Sequence, residues 1–181
     1  MRRRPGGVAS GDREMKIAIG SDEVGYELKE SLRAYIQDLG YETEDFGVHD
    51  KKPVLYPDIA NALASAIVAG QYGKGILICG TGIGMAISAN KVPGIRAAQA
   101  HDSFSAERAV KSNNAQIITL GSRVIGVELA KVLVKVFLES QFVEGPSTCK
   151  IERIMEYEKN YHLYENQKKP TGGSAREKNN Q

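Results

Sequence analysis

The chain is short of the residues that staple or metallate a fold. Its 181 residues hold only two cysteines, Cys79 and Cys149. They are far apart and match no metal or redox spacing, so neither a disulfide framework nor a thiolate metal site is indicated. That usage suits a reducing compartment, and the cytoplasm is the expected location. Excess charge of one sign is also missing: 24 basic residues stand against 22 acidic ones. No whole-molecule field draws the chain to nucleic acid or a membrane surface. No apolar run is long enough to span a bilayer. Arg2-Arg3-Arg4 is followed by no apolar stretch, which excludes a secretory signal.

What is present is a hydrophobic share of 41%, ordinary for a globular chain with a core. Residues 1–14 lack periodicity and read as a disordered leader, with Met15 an alternative start. Residues 163–181 are almost wholly polar and read as a disordered tail. The domain is expected over 15–162. Within it, short apolar runs alternate with helical patterns. Strands are expected at 16–20, 41–46, 75–79, 95–98 and 116–120. Helices are expected at 26–39, 56–69, from the glycine loop to about 90, at 103–112, 127–139 and 151–161. This alternation predicts parallel βαβ units, and so an α/β fold: a three-layer αβα sandwich on a five-stranded parallel, Rossmann-like sheet. Helix 127–139 is apolar nearly all round, which predicts cover by a subunit interface or, as the alternative, burial within the monomer.

Ligands in such sheets bind beyond the carboxyl ends of the strands. Ser21-Asp22-Glu23, Cys79 with its glycine loop, Ala100-His101-Asp102 and Gly121-Ser122-Arg123 all fall there. In the loop, Gly80, Gly82 and Gly84 alternate with Thr81 and Ile83, so that several N–H groups can converge on a phosphate or an oxyanion. Met85 occupies the position of the last glycine of a dinucleotide fingerprint, and the Gly-Lys-Ser/Thr of a P-loop is absent. Cys79 is either a small buried hydrophobe or a reactive thiol beside those N–H groups. His101-Asp102 is either a proton-transfer pair or a histidine beside a helix cap. Asp22-Glu23 either grips a substrate or caps the next helix. Arg96 reads as structural.

From Met15 to about Tyr161 the chain resembles the ribose-5-phosphate isomerase B and galactose-6-phosphate isomerase family. Ile78 through Gly84 and Ser88 through Arg96 carry the likeness, with Gly20-Ser21-Asp22, Tyr56-Pro57 and Leu120 through Gly126. The resemblance implies interconversion of an aldose and a ketose phosphate through an enediolate, with no metal or cofactor. It implies Cys79 as the proton-transfer base, the N–H groups of Gly80 to Gly84 (Gly82 and Ile83 included) on the oxyanion, and Thr81 assisting. Asp22 and Tyr56 then contact the sugar, Asn113 binds near the reacting end, and Arg123 meets the phosphate. It also implies a homodimer or a dimer of dimers with sites between subunits.

Departures from the pattern are specific. Glu23 and Ser112 stand where relatives carry histidines, and Pro146 and Lys150 stand where they carry phosphate-binding arginines. Lys150, helped by Arg153, is then the remaining cation near the C-terminus. His101 is an added candidate, and the run His101 to Arg108 resembles a subgroup linked to four-carbon sugar phosphates. Ribose 5-phosphate and ribulose 5-phosphate are the leading substrate pair. A tetrose phosphate, which needs no ring opening, is the alternative. A nucleotide-binding module of the universal-stress type has the same layering but a different glycine spacing.

Overall fold

A computed structural model describes residues 15–168, with side chains through Tyr161. The expected leader, 1–14, and the tail beyond Lys168 lie outside the described residues. Two units are distinct: one through Glu144, the other from Gly145. The first carries the sheet and the second the helix α6 (Thr148–Lys168), which starts earlier and runs further than its pattern predicts.

The strands are β1 (Ile17–Ser21), β2 (Thr43–Asp45), β3 (Lys74–Cys79), β4 (Ala97–Gln99) and β5 (Ile117–Gly121). All pair in parallel in the order β2-β1-β3-β5-β4. The helices are α1 (Tyr26–Asp38), α2 (Tyr56–Val68), α3 (Ile83–Ala89), α4 (Ser103–Lys111) and α5 (Val127–Glu139). The expected three layers are present. Side chains alternate across each strand, so Ile17, Ile19, Ile76, Ile78, Ile118 and Leu120 meet α1, α4 and α5. Ala18, Leu77, Cys79 and Ile117 meet α2 and α3 on the other face. Each fully buried isoleucine or leucine contributes roughly 1.5–3 kcal/mol relative to an exposed one.

Helix α5 buries Ala130, Leu133, Val134, Phe137 and Leu138 within its own unit. Val127, Leu129 and Val132 remain exposed. Its apolar composition is therefore divided between an internal face and an outer one. Lys29 of α1 is fully buried, ion-paired with Asp45 and Glu30, and donates to the Val48 carbonyl at 2.7 Å. It ties α1 to the turn that follows β2.

From β1 the chain steps to the edge strand β2 and then crosses back past β1 to β3, so the crossovers diverge between β1 and β3. An α/β sheet opens its binding crevice at that divergence. Asp22 follows β1 and Cys79 ends β3, and the pairing of Ser21 with Ile78 sets these two side by side.

Candidate active site

Cys79 is 6% exposed and faces α2 and α3. Its Sγ accepts the Gly82 N–H at 3.1 Å. Gly82 allows the turn by adopting φ 80°, a left-handed conformation that costs glycine little. Thr81 Oγ1 accepts the Ile83 N–H at 3.3 Å, leaving the hydroxyl hydrogen for another acceptor.

The loop's carbonyls are held from one side. Ser122 donates to the Cys79 carbonyl from its N–H at 2.9 Å and its hydroxyl at 3.2 Å. The Arg123 N–H donates to the Gly80 carbonyl at 3.0 Å. Gln99 Nε2 reaches the Thr81 carbonyl at 2.7 Å, and Thr119 Oγ1 the Gly82 carbonyl at 2.8 Å. In a planar trans peptide the N–H points opposite to the C=O. Carbonyls drawn toward β4 and β5 therefore turn the N–H groups of Gly80 through Ile83 the other way. That is the construction an oxyanion site requires: donors fixed before charge develops. Sequence reasoning missed Gln99 and Thr119. The available signal was one polar residue in each of two otherwise apolar strands.

Around the loop, Asp22 is nearly buried, and its Oδ1 accepts the Gly25 N–H at 2.9 Å, so it does cap the turn into α1. Burial pushes its carboxyl above the usual range, against the lowering effect of that N–H. Glu23 accepts the Val54 N–H at 3.3 Å. Tyr56, at the start of α2, lies over Gly84: a Cβ there would stand 2.6 Å from the phenol oxygen. The Arg123 side chain passes Gly80, with Cδ 3.5 Å from where a Cβ would be. It also lines, with Val24, Ser122 and Gly126, a cleft of about 500 Å³ beside α1.

His101 Nε2 accepts the Gly121 N–H at 3.1 Å, and Gly121 is the β5 residue paired with Cys79. That bond assigns the ring proton to Nδ1. The backbone thus occupies Nε2 and leaves Nδ1 as the donor. Asp102 caps α4 by accepting the Ser105 N–H at 2.7 Å; the Ser105 hydroxyl first, and that N–H second, hold its carboxyl below the usual range. Asp102 is therefore a helix cap, and His101 is bonded to the backbone of β5.

Two expected residues do not join this cluster within the first unit. Helix α4 runs back across the sheet, carrying Asn113 to the edge where the strands begin, opposite to Cys79. There the Asn113 and Asn114 carbonyls accept from Arg96 Nε, each at 3.0 Å, so Arg96 is structural. Lys150 belongs to α6, in the second unit. Among the described residues, no group of three or more His, Cys, Asp and Glu side chains is arranged to hold a metal ion, and no helix is long and apolar enough to cross a membrane.

The family profile described as Ribose/Galactose Isomerase matches residues 17–154. The chain is 54% identical to the ribose-5-P isomerase B of Listeria innocua over 142 residues, 78% of this chain and 96% of the relative. It is 51% identical to the D-erythrulose-4-phosphate isomerase of Pectobacterium atrosepticum, covering 80% of this chain and 95% of that one. The solved ribose-5-phosphate isomerase B of Clostridium thermocellum superposes with a TM-score of 0.80 at 44% identity, covering 81% of this chain and 99% of the other. These matches rule against the universal-stress alternative. With its glycine loop, parallel sheet and sequence in agreement over nearly the whole length of such relatives, the chain belongs to the ribose/galactose isomerase family and is a sugar-phosphate isomerase.

Proposed function

We propose that this aldose–ketose isomerase acts on a pentose phosphate of the ribose 5-phosphate/ribulose 5-phosphate type, with Cys79 as the base. The observation that carries the reading is the Gly82 N–H aimed at Cys79 Sγ beside Asp22, in the crevice between β1 and β3. The Cys79 thiolate takes the proton from the carbon next to the aldehyde. The electron pair of that C–H bond forms the enediolate double bond, and the carbonyl oxygen takes up the charge. Backbone N–H groups of the Gly80 to Gly84 loop and the Thr81 hydroxyl stabilise it, the Gly82 and Ile83 N–H groups sharing the charge with the Cys79 Sγ and Thr81 Oγ1 that they already meet; loss of one such donor slows reactions of this kind by roughly a hundred- to a thousandfold. The thiol then returns the proton to the neighbouring carbon, while a proton passes from one enediolate oxygen to the other.

In this reading Asp22, Glu23 and Tyr56 hold the sugar hydroxyls, and His101 donates from Nδ1. Arg123 binds the phosphate, with Lys150 as a second cation. Asn113, at the far edge of its own sheet, serves the site of a second copy. The working particle is a homodimer or a pair of dimers, acting in the cytoplasm, where free Cys79 and Cys149 suit a reducing environment.

A second reading, a tetrose phosphate, is favoured by Ser112. A serine has no group to catalyse ring opening at neutral pH, and a tetrose 4-phosphate forms no such ring. Both are tested by following solvent deuterium into ribose 5-phosphate and erythrose 4-phosphate by NMR. The pentose reading expects faster exchange into the ribose compound, and the reverse order selects the tetrose. Cys79→Ala is expected to abolish exchange into either sugar while leaving the far-UV circular dichroism unchanged. Exchange near the parent rate in that variant would remove Cys79 as the base.

A further inference from the structure

The loop that follows Cys79 folds back over β5 and β4, and its hydrogen bonds form two chains of the same design. Gln99 and Thr119 are register partners on adjacent strands, and both lie on the α2/α3 face with Cys79. In the first chain, Gln99 Nε2 donates to the Thr81 carbonyl at 2.7 Å, and the N–H of that same peptide, on Gly82, donates to Cys79 Sγ at 3.1 Å. In the second, Thr119 Oγ1 donates to the Gly82 carbonyl at 2.8 Å, and the N–H of that peptide, on Ile83, donates to Thr81 Oγ1 at 3.3 Å. Each strand side chain grips one end of a rigid peptide plane whose other end points at a group of the site.

We propose that Gln99 and Thr119 are positioning residues for the isomerisation: Gln99 aims the Gly82 N–H at the Cys79 sulfur, and Thr119 aims the Ile83 N–H at the Thr81 hydroxyl. Three arguments support this. A two-glycine turn has many conformations of similar energy, so its peptide planes need an external hold to keep one orientation. Bonding a peptide carbonyl also polarises its N–H, strengthening the bond at the far end. And neither side chain is needed for packing: Gln99 is exposed on an edge strand, and the buried place of Thr119 in the otherwise apolar β5 would accept an apolar residue. The pair therefore specifies the direction of the donors rather than the fold. The inference rests on the reading of Cys79 as the base.

The test uses the full chain with Cys149→Ser, because Cys149 is exposed and would compete for thiol reagents. In that background Gln99→Met keeps the reach of the side chain without its donor, and Gln99→Lys restores a donor. Thr119→Val removes the hydroxyl, and Thr119→Ser retains it. Two quantities are read: kcat and KM on the sugar phosphate that the parent turns over, and the pH dependence of Cys79 alkylation by iodoacetamide. The charged and titratable groups that packed elements bring around the sulfur are Asp22, Tyr56, His101 and Arg123, all unchanged in these variants; Gln99→Lys adds one cation to them, so its rescue is read in kcat and not in the alkylation profile.

Gln99→Met should lower kcat about tenfold with KM within about twofold, the pattern of a lost transition-state interaction. Its alkylation profile should move to higher pH. Gln99→Lys should recover most of kcat. Thr119→Val should lower kcat by a similar factor with the alkylation profile unmoved, and Thr119→Ser should behave as the parent. Parent-like kcat and alkylation in Gln99→Met would overturn the proposal. So would equal losses in Gln99→Met and Gln99→Lys with matching falls in melting temperature, the signature of a packing role. A parent inert toward every sugar phosphate would sink the isomerase reading, while the alkylation profile would still decide the link from Gln99 to Cys79 without substrate.

Discussion

Tyr56 rests on Gly84: the position of a Cβ on that glycine lies 2.6 Å from both Cζ and Oη of the phenol. Nothing larger than hydrogen fits beneath the ring as it stands. Gly84→Ala must therefore push Tyr56 outward, and the ring is free to move because it is 37% exposed. The expected stability loss lies near the low end of overpacking costs, about 1 kcal/mol. Turnover suffers more, with kcat/KM falling about tenfold as the tyrosine leaves its place over the loop. In a Tyr56→Ala background the sign should reverse. With the ring gone, alanine in place of a glycine inside α3 stabilises by up to about 1 kcal/mol. Denaturant melts of the four members of this cycle would reveal the reversal, and strictly additive effects would mean that the contact carries no energy.

The raised carboxyl of Asp22 gives a stability effect with a defined direction. Burial is its main cause, and it outweighs the lowering by the Gly25 N–H and by Arg123. The folded chain thus holds this proton more tightly than the unfolded chain. Stability falls as pH rises from the ordinary aspartate range through the raised one, and above that the buried charge is a net cost. Asn at this position keeps an acceptor for Gly25 and carries no charge. Asp22→Asn should therefore be more stable than the parent at neutral pH, with the difference shrinking as pH is lowered through the carboxylate range. Thermal melts across that range are the measurement. A difference that does not vary with pH would show that the charge is not its source. The same substitution should weaken substrate binding, since a carboxylate accepts more strongly from sugar hydroxyls than an amide does.

Much of this fold was legible because its three central strands are buried on both faces and punctuated by glycine. Where the reading slipped, the partner was remote. The pattern at 41–46 predicts a strand longer than β2, but β2 is an edge with β1 as its neighbour. Tyr41 instead donates its N–H to the Ile36 carbonyl at 3.3 Å and packs into the core. The pattern at 95–98 is displaced because the Ile95 N–H turns back to the Val92 carbonyl, so β4 begins at Ala97. The loop itself was visible from its glycines. Gln99 and Thr119 were not, because their partners lie 18 and 37 positions away in the chain and no local period links them. The buried Lys29 escaped for the same reason: it reads as a solvated helix position until Asp45 and the Val48 carbonyl are brought to it.

Asn113 puts the two-subunit arrangement to its sharpest test, since it is set opposite to Cys79 across its own sheet. It meets Arg96 through its backbone carbonyl, which the substitution keeps, so Asn113→Ala should leave the fold intact. If the amide serves the site of a second copy, that variant should still lose at least about tenfold in turnover. Intersubunit action is then decided by complementation. Co-expressing Cys79→Ala and Asn113→Ala chains with different affinity tags allows the mixed dimer to be purified. One of its two sites combines an intact Cys79 with an intact Asn113, and the other lacks both. The mixed dimer should show about half the parent activity although both parental variants are nearly inactive. If each chain used its own Asn113, neither site would be whole, and the mixed dimer would remain as weak as the variants from which it was made.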